Sequence, residues 1–214
     1  MKKHLLFIDT ETTGIPKRWD LPYSETENWP SAVQVSWIIY DENGNEIKRE
    51  NCYIDVDDLK ISDKSFKIHG ITKEFLIKNG QARSFVLEKL SADIQKYQPV
   101  IIGHFTEFDI HTLSCDFYRA GLENPFQQSH FYCTMLKSKD YNLNPSVIYL
   151  RLNQLFEFLF NEKMERSHDA MIDAEMTAKC FFEIRSRGEI SEGEFQKTHL
   201  EIESKLKFLT NKLK

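Results

Sequence analysis

Ten residues near the N-terminus, Leu5-Leu6-Phe7-Ile8-Asp9-Thr10-Glu11-Thr12-Thr13-Gly14, constrain this chain more than any other stretch. The apolar run has the length of one buried strand. It ends in two carboxylates. Asp9 and Glu11 are two apart, so on a strand both side chains leave the same face. Like charges about 4 Å apart repel by roughly 4 kcal/mol at an effective dielectric near 20. Such a pair calls for a cation, and a hard divalent ion, Mg²⁺ or Mn²⁺, suits oxygen ligands. Taken alone, the stretch also reads as a polar turn after a strand, and the rest of the chain decides between the two.

At 214 residues the chain fits one domain with an appendage. No stretch approaches the roughly 20 apolar residues of a membrane span. The run after Lys2 and Lys3 breaks at Asp9, unlike a signal peptide, so no membrane association is expected. Cys52, Cys115, Cys133 and Cys180 form no CxxC pair, which argues against a zinc or redox motif and for a reducing cytoplasm. The net charge of −5 argues against tight non-specific duplex binding. It does not exclude an enzyme that grips one strand end through metals.

Residues 4–10, 32–40 and 46–54 read as strands, the last two joined as a hairpin by Asn43-Gly44. The connection 15–31 carries Pro16, Pro22 and Pro30 and leaves from the rim of the acidic stretch. Its Trp19, Tyr23 and Trp29 argue against disorder; they read as caps on the core edge, with base stacking as the alternative. Asp55 to Asp63 reads as an acidic loop. Thr72 caps a short helix to about Asn79, with His69 just before it. Ser84 to Tyr97 is a helix with Phe85, Leu87, Leu90 and Ile94 on its apolar face. Val100 to Gly103 is a strand, followed by a helix that stops at Gly121 and carries Asp109 in its first turn, where sites gather in parallel α/β layouts.

Pro125 to Cys133 reads as a loop and a fifth strand, Thr134 to Lys139 as a short helix, Asn142 to Pro145 as a turn and Leu152 to Leu159 as an amphipathic helix. Asn161 to Arg166 is polar. A strong helix runs from Asp169, its N-cap, to Arg187 and stops at Gly188. His168 and Asp173 are five apart, which on one helix is about 140°. His168 must therefore sit on the preceding loop if both face one site. In the charged segment 189–214, Ile202, Leu206, Leu209 and Leu213 form a narrow stripe suited to packing on the domain or on another helix.

Four segments carry a family resemblance: Phe-Ile-Asp-Thr-Glu-Thr-Thr-Gly at 7–14, His-Gly-Ile-Thr at 69–72, Gly-His-x-x-x-Phe-Asp at 103–109 and His-Asp-Ala-x-x-Asp-Ala at 168–174. Together, in order and spacing, they resemble the DnaQ-like (DEDDh) 3′→5′ exonucleases of the ribonuclease-H-like superfamily, over roughly residues 3–187. The resemblance implies an α/β fold, a ribonuclease-H-like mixed sheet of about five strands with helices on both faces. Residues 1–188 would form the exonuclease domain and 189–214 a helical appendage, open to a protein partner or self-association. Asp9, Glu11, Asp109 and Asp173 would hold two divalent ions, Mg²⁺ or Mn²⁺, whose charge balances the four carboxylates. His168 would be the general base, and Thr12, Ile15 and His69 would contact the terminal nucleotide. The implied reaction releases nucleoside 5′-monophosphates from the 3′ end of a single-stranded nucleic acid, DNA favoured. The alternatives are an exoribonuclease acting on short or structured RNA ends and a catalytically weak binding module. The chain departs from the family at Phe105, where Asn is common, and in the length of the 15–31 loop.

Overall fold

The structure, a computed structural model, describes residues 4–55, 60–142, 146–164 and 168–210, with side chains as far as 206. The expected Asp55–Asp63 loop, Asn142–Pro145 turn and Asn161–Arg166 stretch lie partly outside these residues, as does the Leu209 and Leu213 half of the C-terminal stripe. The apolar run forms β1 (His4–Thr12), which pairs antiparallel with β2 (Ala32–Asp41) and parallel with β5 (Val100–Gly103). The expected hairpin joins β2 to β3 (Glu46–Asp55), and Gly44 supplies its turn with a φ of +84°. With β4 (Gln81–Ala82) and β6 (His130–Cys133) the sheet has the order β4-β3-β2-β1-β5-β6. The five expected strands are therefore present, and the sixth is a two-residue edge.

Strand parity divides the core. Leu6 and Ile8 enter a cluster with Leu87 and Leu90 of α3 (Arg83–Tyr97) and with Ile110, Leu113 and Phe117 of α4 (Thr106–Arg119). Leu5 and Phe7 face the other way, onto Ala178 and Phe181 of α7 (Ala170–Ser186) and Phe195 of α8 (Glu192–Thr210). Odd-numbered residues of β1 thus look toward α7, and Asp9 and Glu11 continue that row. Ile202 and Leu206 of α8 are buried in the larger cluster, so this half of the C-terminal stripe packs on the domain.

Two local expectations change. Phe85 is 54% exposed and Val86 takes its place in the core. Val86 lies only about 40° round the helix from Leu90, whereas Phe85 lies about 140° away. Residues Asp63–His69 form a further helix, α1, capped by the Ser62 hydroxyl and ended by Gly70 at φ +70°. It buries none of its side chains, so no apolar period marks it. The helix α2 (Lys73–Asn79) has the expected Thr72 cap, and α5 (Thr134–Ser138) and α6 (Leu152–Phe160) complete the helices.

The long connection after β1 is strapped down. The Arg119 guanidinium donates to the carbonyls of Thr26, Trp29 and Pro30 at 2.6, 2.6 and 2.9 Å. Tyr23 and Trp29 pack with Cys115 in a small buried cluster, capping the core as expected. Trp19 leans edge-on against Trp29 at 6.3 Å but stays 41% exposed. All four cysteines are buried free thiols, and no described helix is long and apolar enough to cross a membrane.

Candidate active site

The carboxyl ends of β1 and β5, where an antiparallel neighbour meets a parallel one, gather the acids. Asp9 and Glu11 leave β1 toward α7. Asp173 meets them from the first turn of α7, and Asp109 from the first turn of α4. Their mutual repulsion is visible in their acidities. Burial, then Asp109, Asp173 and Glu11, raise the Asp9 carboxyl well above its ordinary value. Burial, then Asp173 and Asp109, push Glu11 up to about 8. Burial raises Asp109 to about 7 against an opposing hydrogen bond from Thr10, and Asp173 to about 6 against one from the His168 amide. Acids drawn from three distant parts of the chain are therefore held close enough to suppress one another's ionisation.

His168 sits on the loop before α7 with a φ of +70°, as the spacing demanded. Its backbone N–H donates to Asp173 Oδ2 at 3.1 Å. Asp169 is the N-cap, accepting from the amides of Met171 and Ile172. Ligand atoms of Glu11, His168 and Asp173 all lie within 4.8 Å of one another. Asp173 Oδ1 is buried and has no hydrogen-bond partner. An oxygen-rich donor set with one orphaned carboxylate oxygen fits a hard divalent ion.

The remaining expected residues follow β1 or, in His69, lie near His168. Thr12 is buried, and its hydroxyl donates to the Gly14 carbonyl at 2.7 Å. Ile15 is 71% exposed. His69 accepts from the Ile71 amide at Nδ1, so its Nε2 carries the proton and donates to the Thr12 carbonyl at 3.2 Å. Burial lowers the pKa of this ring, and the nearby His168 lowers it further. Both nitrogens of His69 thus brace the backbone behind the two acids.

Three contributors carry roles that the sequence reading did not assign. Thr10 points away from Asp9 and Glu11, yet its hydroxyl donates to Asp109 Oδ1 at 2.7 Å, because the even face of β1 is the face α4 covers. Gln34 Oε1 accepts from the Ala170 amide at 3.4 Å and ties the start of α7 to β2. Gly103 lets β5 approach β1, since a Cβ there would stand 3.0 Å from Thr106 Oγ1 and 3.3 Å from the Ile8 carbonyl. Strand parity could have exposed the first and the Gly-His-x-x-x-Phe-Asp motif the third; the second depends on a contact no local pattern records. Beside the acids opens a cleft of about 360 Å³, lined by Phe105, Tyr149, Arg151, His168 and Asp173 among others. Its floor includes His104, whose ring nitrogens lie 3.0 Å from Thr134 Oγ1 and 3.1 Å from the Leu150 carbonyl.

A mixed sheet that gathers four carboxylates and an imidazole at the ends of its central strands defines a nuclease fold of the DnaQ-like, ribonuclease-H-like kind. The chain is similar in structure to exonuclease I, with a TM-score of 0.71, 20% identity, and coverage of 86% of this chain and 41% of that one. The E. coli enzyme in complex with a dA16 oligonucleotide gives a TM-score of 0.69 at 21% identity, over 86% of this chain and 41% of that one. Its zinc-bound complex with single-stranded DNA gives 0.72 at 20%, again over 86% and 41%. At these identities the likeness is one of fold, and the chain spans about two-fifths of exonuclease I's length. No curated protein matches the chain in sequence. The model of the exonuclease family (RNase_T) matches residues 6–181, a span that holds all four acids and His168. The chain belongs to the exonuclease family.

Proposed function

We propose that this chain is a metal-dependent 3′→5′ exonuclease that releases nucleoside 5′-monophosphates from single-stranded nucleic acid, with DNA its favoured substrate. The observation that supports this most is the convergence of Glu11, His168 and Asp173, whose ligand atoms lie within 4.8 Å of one another, beside Asp9 and Asp109 in a site where burial first, and neighbouring carboxylates second, disfavour the ionised acids. These four would hold two divalent ions. Bound there, such ions stabilise the attacking and leaving oxygens of an in-line displacement at phosphorus. Exonuclease I itself has been seen with bound zinc and with single-stranded oligonucleotides.

The chain's own groups do the rest. His168 is exposed at the cleft, on the acid-lined wall. An imidazole held there can take the proton from the attacking water. The bond from its backbone to Asp173 fixes that loop relative to the acids. Ile15, exposed at the rim, offers an apolar surface to the terminal base, and Thr12 and His69 shape the backbone beneath it.

The test is digestion of 5′-labelled DNA and RNA strands of one sequence by the purified chain, in Mg²⁺ and in a chelator. Stepwise shortening from the 3′ end with 5′-monophosphate products, faster on DNA and abolished by the chelator, is the expected result. Faster digestion of RNA would make it an exoribonuclease. Binding without any release would leave only a binding module.

A further inference from the structure

The chemistry above leaves unused the aromatic rings gathered around Phe105, which lines the cleft. Trp29 and Trp37 are buried, and Trp19 is 41% exposed. Its ring centre lies 5.8 Å from Phe105 and 6.2 Å from Phe108, and those two phenyl rings stack at 5.9 Å with 18° between their planes. Phe105 and Phe108 are themselves half-buried. Phe105 lines the same cleft as His168 and Asp173, and Phe108 directly precedes Asp109.

Phe105 is not where folding alone would put it. Phe105 holds a φ of +78°. The left-handed region costs a residue with a β-carbon about 1–2 kcal/mol, and Asn, the common family residue here, tolerates it far better. Trp19 also packs edge-on against Trp29 at 6.3 Å and against His111 at 5.7 Å, yet it keeps 41% of its surface exposed where Tyr23 and Trp29 are buried. It is also rigidly presented. The Lys17 amide donates to the Asn28 carbonyl at 3.1 Å, and Asn28 exchanges side-chain bonds with the Arg18 amide and carbonyl at 2.9 and 2.8 Å. A strapped loop that holds a partly exposed indole against a strained phenylalanine, itself lining the acid-lined cleft, is pre-organised for a flat apolar ligand.

We propose that Trp19 and Phe105 form a stacking platform for an unpaired base of the strand that enters the cleft. The identity of that ligand rests on the nuclease reading, but stacking is a binding property measurable without turnover. Every base has a π-face, so the platform is tolerant of sequence; a paired and stacked base cannot offer that face, so it selects single strands.

The experiment is a binding cycle in an Asp9→Asn background, which blocks hydrolysis. A 5′-fluorescein oligothymidylate and the same strand made abasic over its 3′ half are titrated by anisotropy in Mg²⁺. Trp19→Ala is expected to weaken the intact strand about ten-fold and to leave the already weakened abasic strand unchanged. Phe105→Asn, which suits the left-handed backbone, is expected to repeat that pattern without loss of thermal stability. Quenching of indole emission by the intact strand should vanish with Trp19→Ala. Equal losses on both strands in either folded variant, or none on either, would overturn the platform. Should Trp19→Ala not fold, Phe105→Asn alone decides. Failure of the nuclease reading would show separately, as no mononucleotide release by the unsubstituted chain.

Discussion

Two residues separate chemistry from architecture in this site. His168 lies close enough to Glu11 and Asp173 to serve either as a proton acceptor or as a ligand. As the base, its replacement by Ala should lower kcat by about 10²–10⁴ while calorimetry shows the affinity for Mn²⁺ unchanged. A parallel loss of metal would make it a ligand instead. Thr10 acts through Asp109. Its hydroxyl at 2.7 Å favours the ionised carboxylate, which burial and the Asp173 charge oppose. Thr10→Val keeps the shape and removes that donor, so metal affinity and activity should fall about 10–100-fold, with the urea midpoint nearly kept. The four acids were legible because each stands at a strand end or a helix start in a recognisable motif. Thr10 sits between two of them and was still passed over, because its partner lies 99 positions away on the other face of the strand.

Regular elements were readable wherever one face is apolar and the stretch is long. The central strand, the hairpin, α4 and α7 all carry such a face, and the caps of α2 at Thr72 and of α7 at Asp169 fall where the hydroxyl and carboxylate suggested. The helix Asp63–His69 was invisible for the opposite reason: it buries no side chain. The 15–31 connection has no period at all, so nothing local could say that Tyr23 and Trp29 turn inward while Trp19 turns out. What decides it is Arg119, a helix residue that grips three loop carbonyls and the fully buried Asp116. Asp116 keeps a second partner in Arg83, at 3.3 Å. Arg119→Ala should therefore cost somewhat less than the 3–5 kcal/mol or so typical of stripping a buried ion pair, read from urea unfolding. It should also open the 15–31 loop to proteolysis while leaving β1 and its acids in place.

For the molecule as a whole, the acid cluster is a charge problem that protons or metal ions can solve in turn. Without metal, the folded chain holds protons on Glu11 up to about pH 8 and on Asp109 up to about 7, and Asp9 is raised as well. The unfolded chain has released them by about pH 5. Folding therefore takes up protons, and stability falls as pH rises through the folded values. Two buried histidines work in the other direction. Burial lowers His104 and His111 to about 4, so the unfolded chain binds the extra protons there, and stability rises with pH until the ordinary histidine value is passed. The opposing slopes overlap below about pH 6.5; above it only the acids act. In a chelator, Tm should decline between about pH 6.5 and 8, and Asp173→Asn, by removing one charge from the cluster, should flatten that decline. Added Mg²⁺ should raise Tm more at the upper end of the window, because the cation then replaces protons already lost. Scanning calorimetry at both ends, with and without the ion, checks it. A metal-free Tm that holds steady or climbs across this window would mean that the carboxylates do not repel one another in solution, and with that the reason for placing cations among them would go.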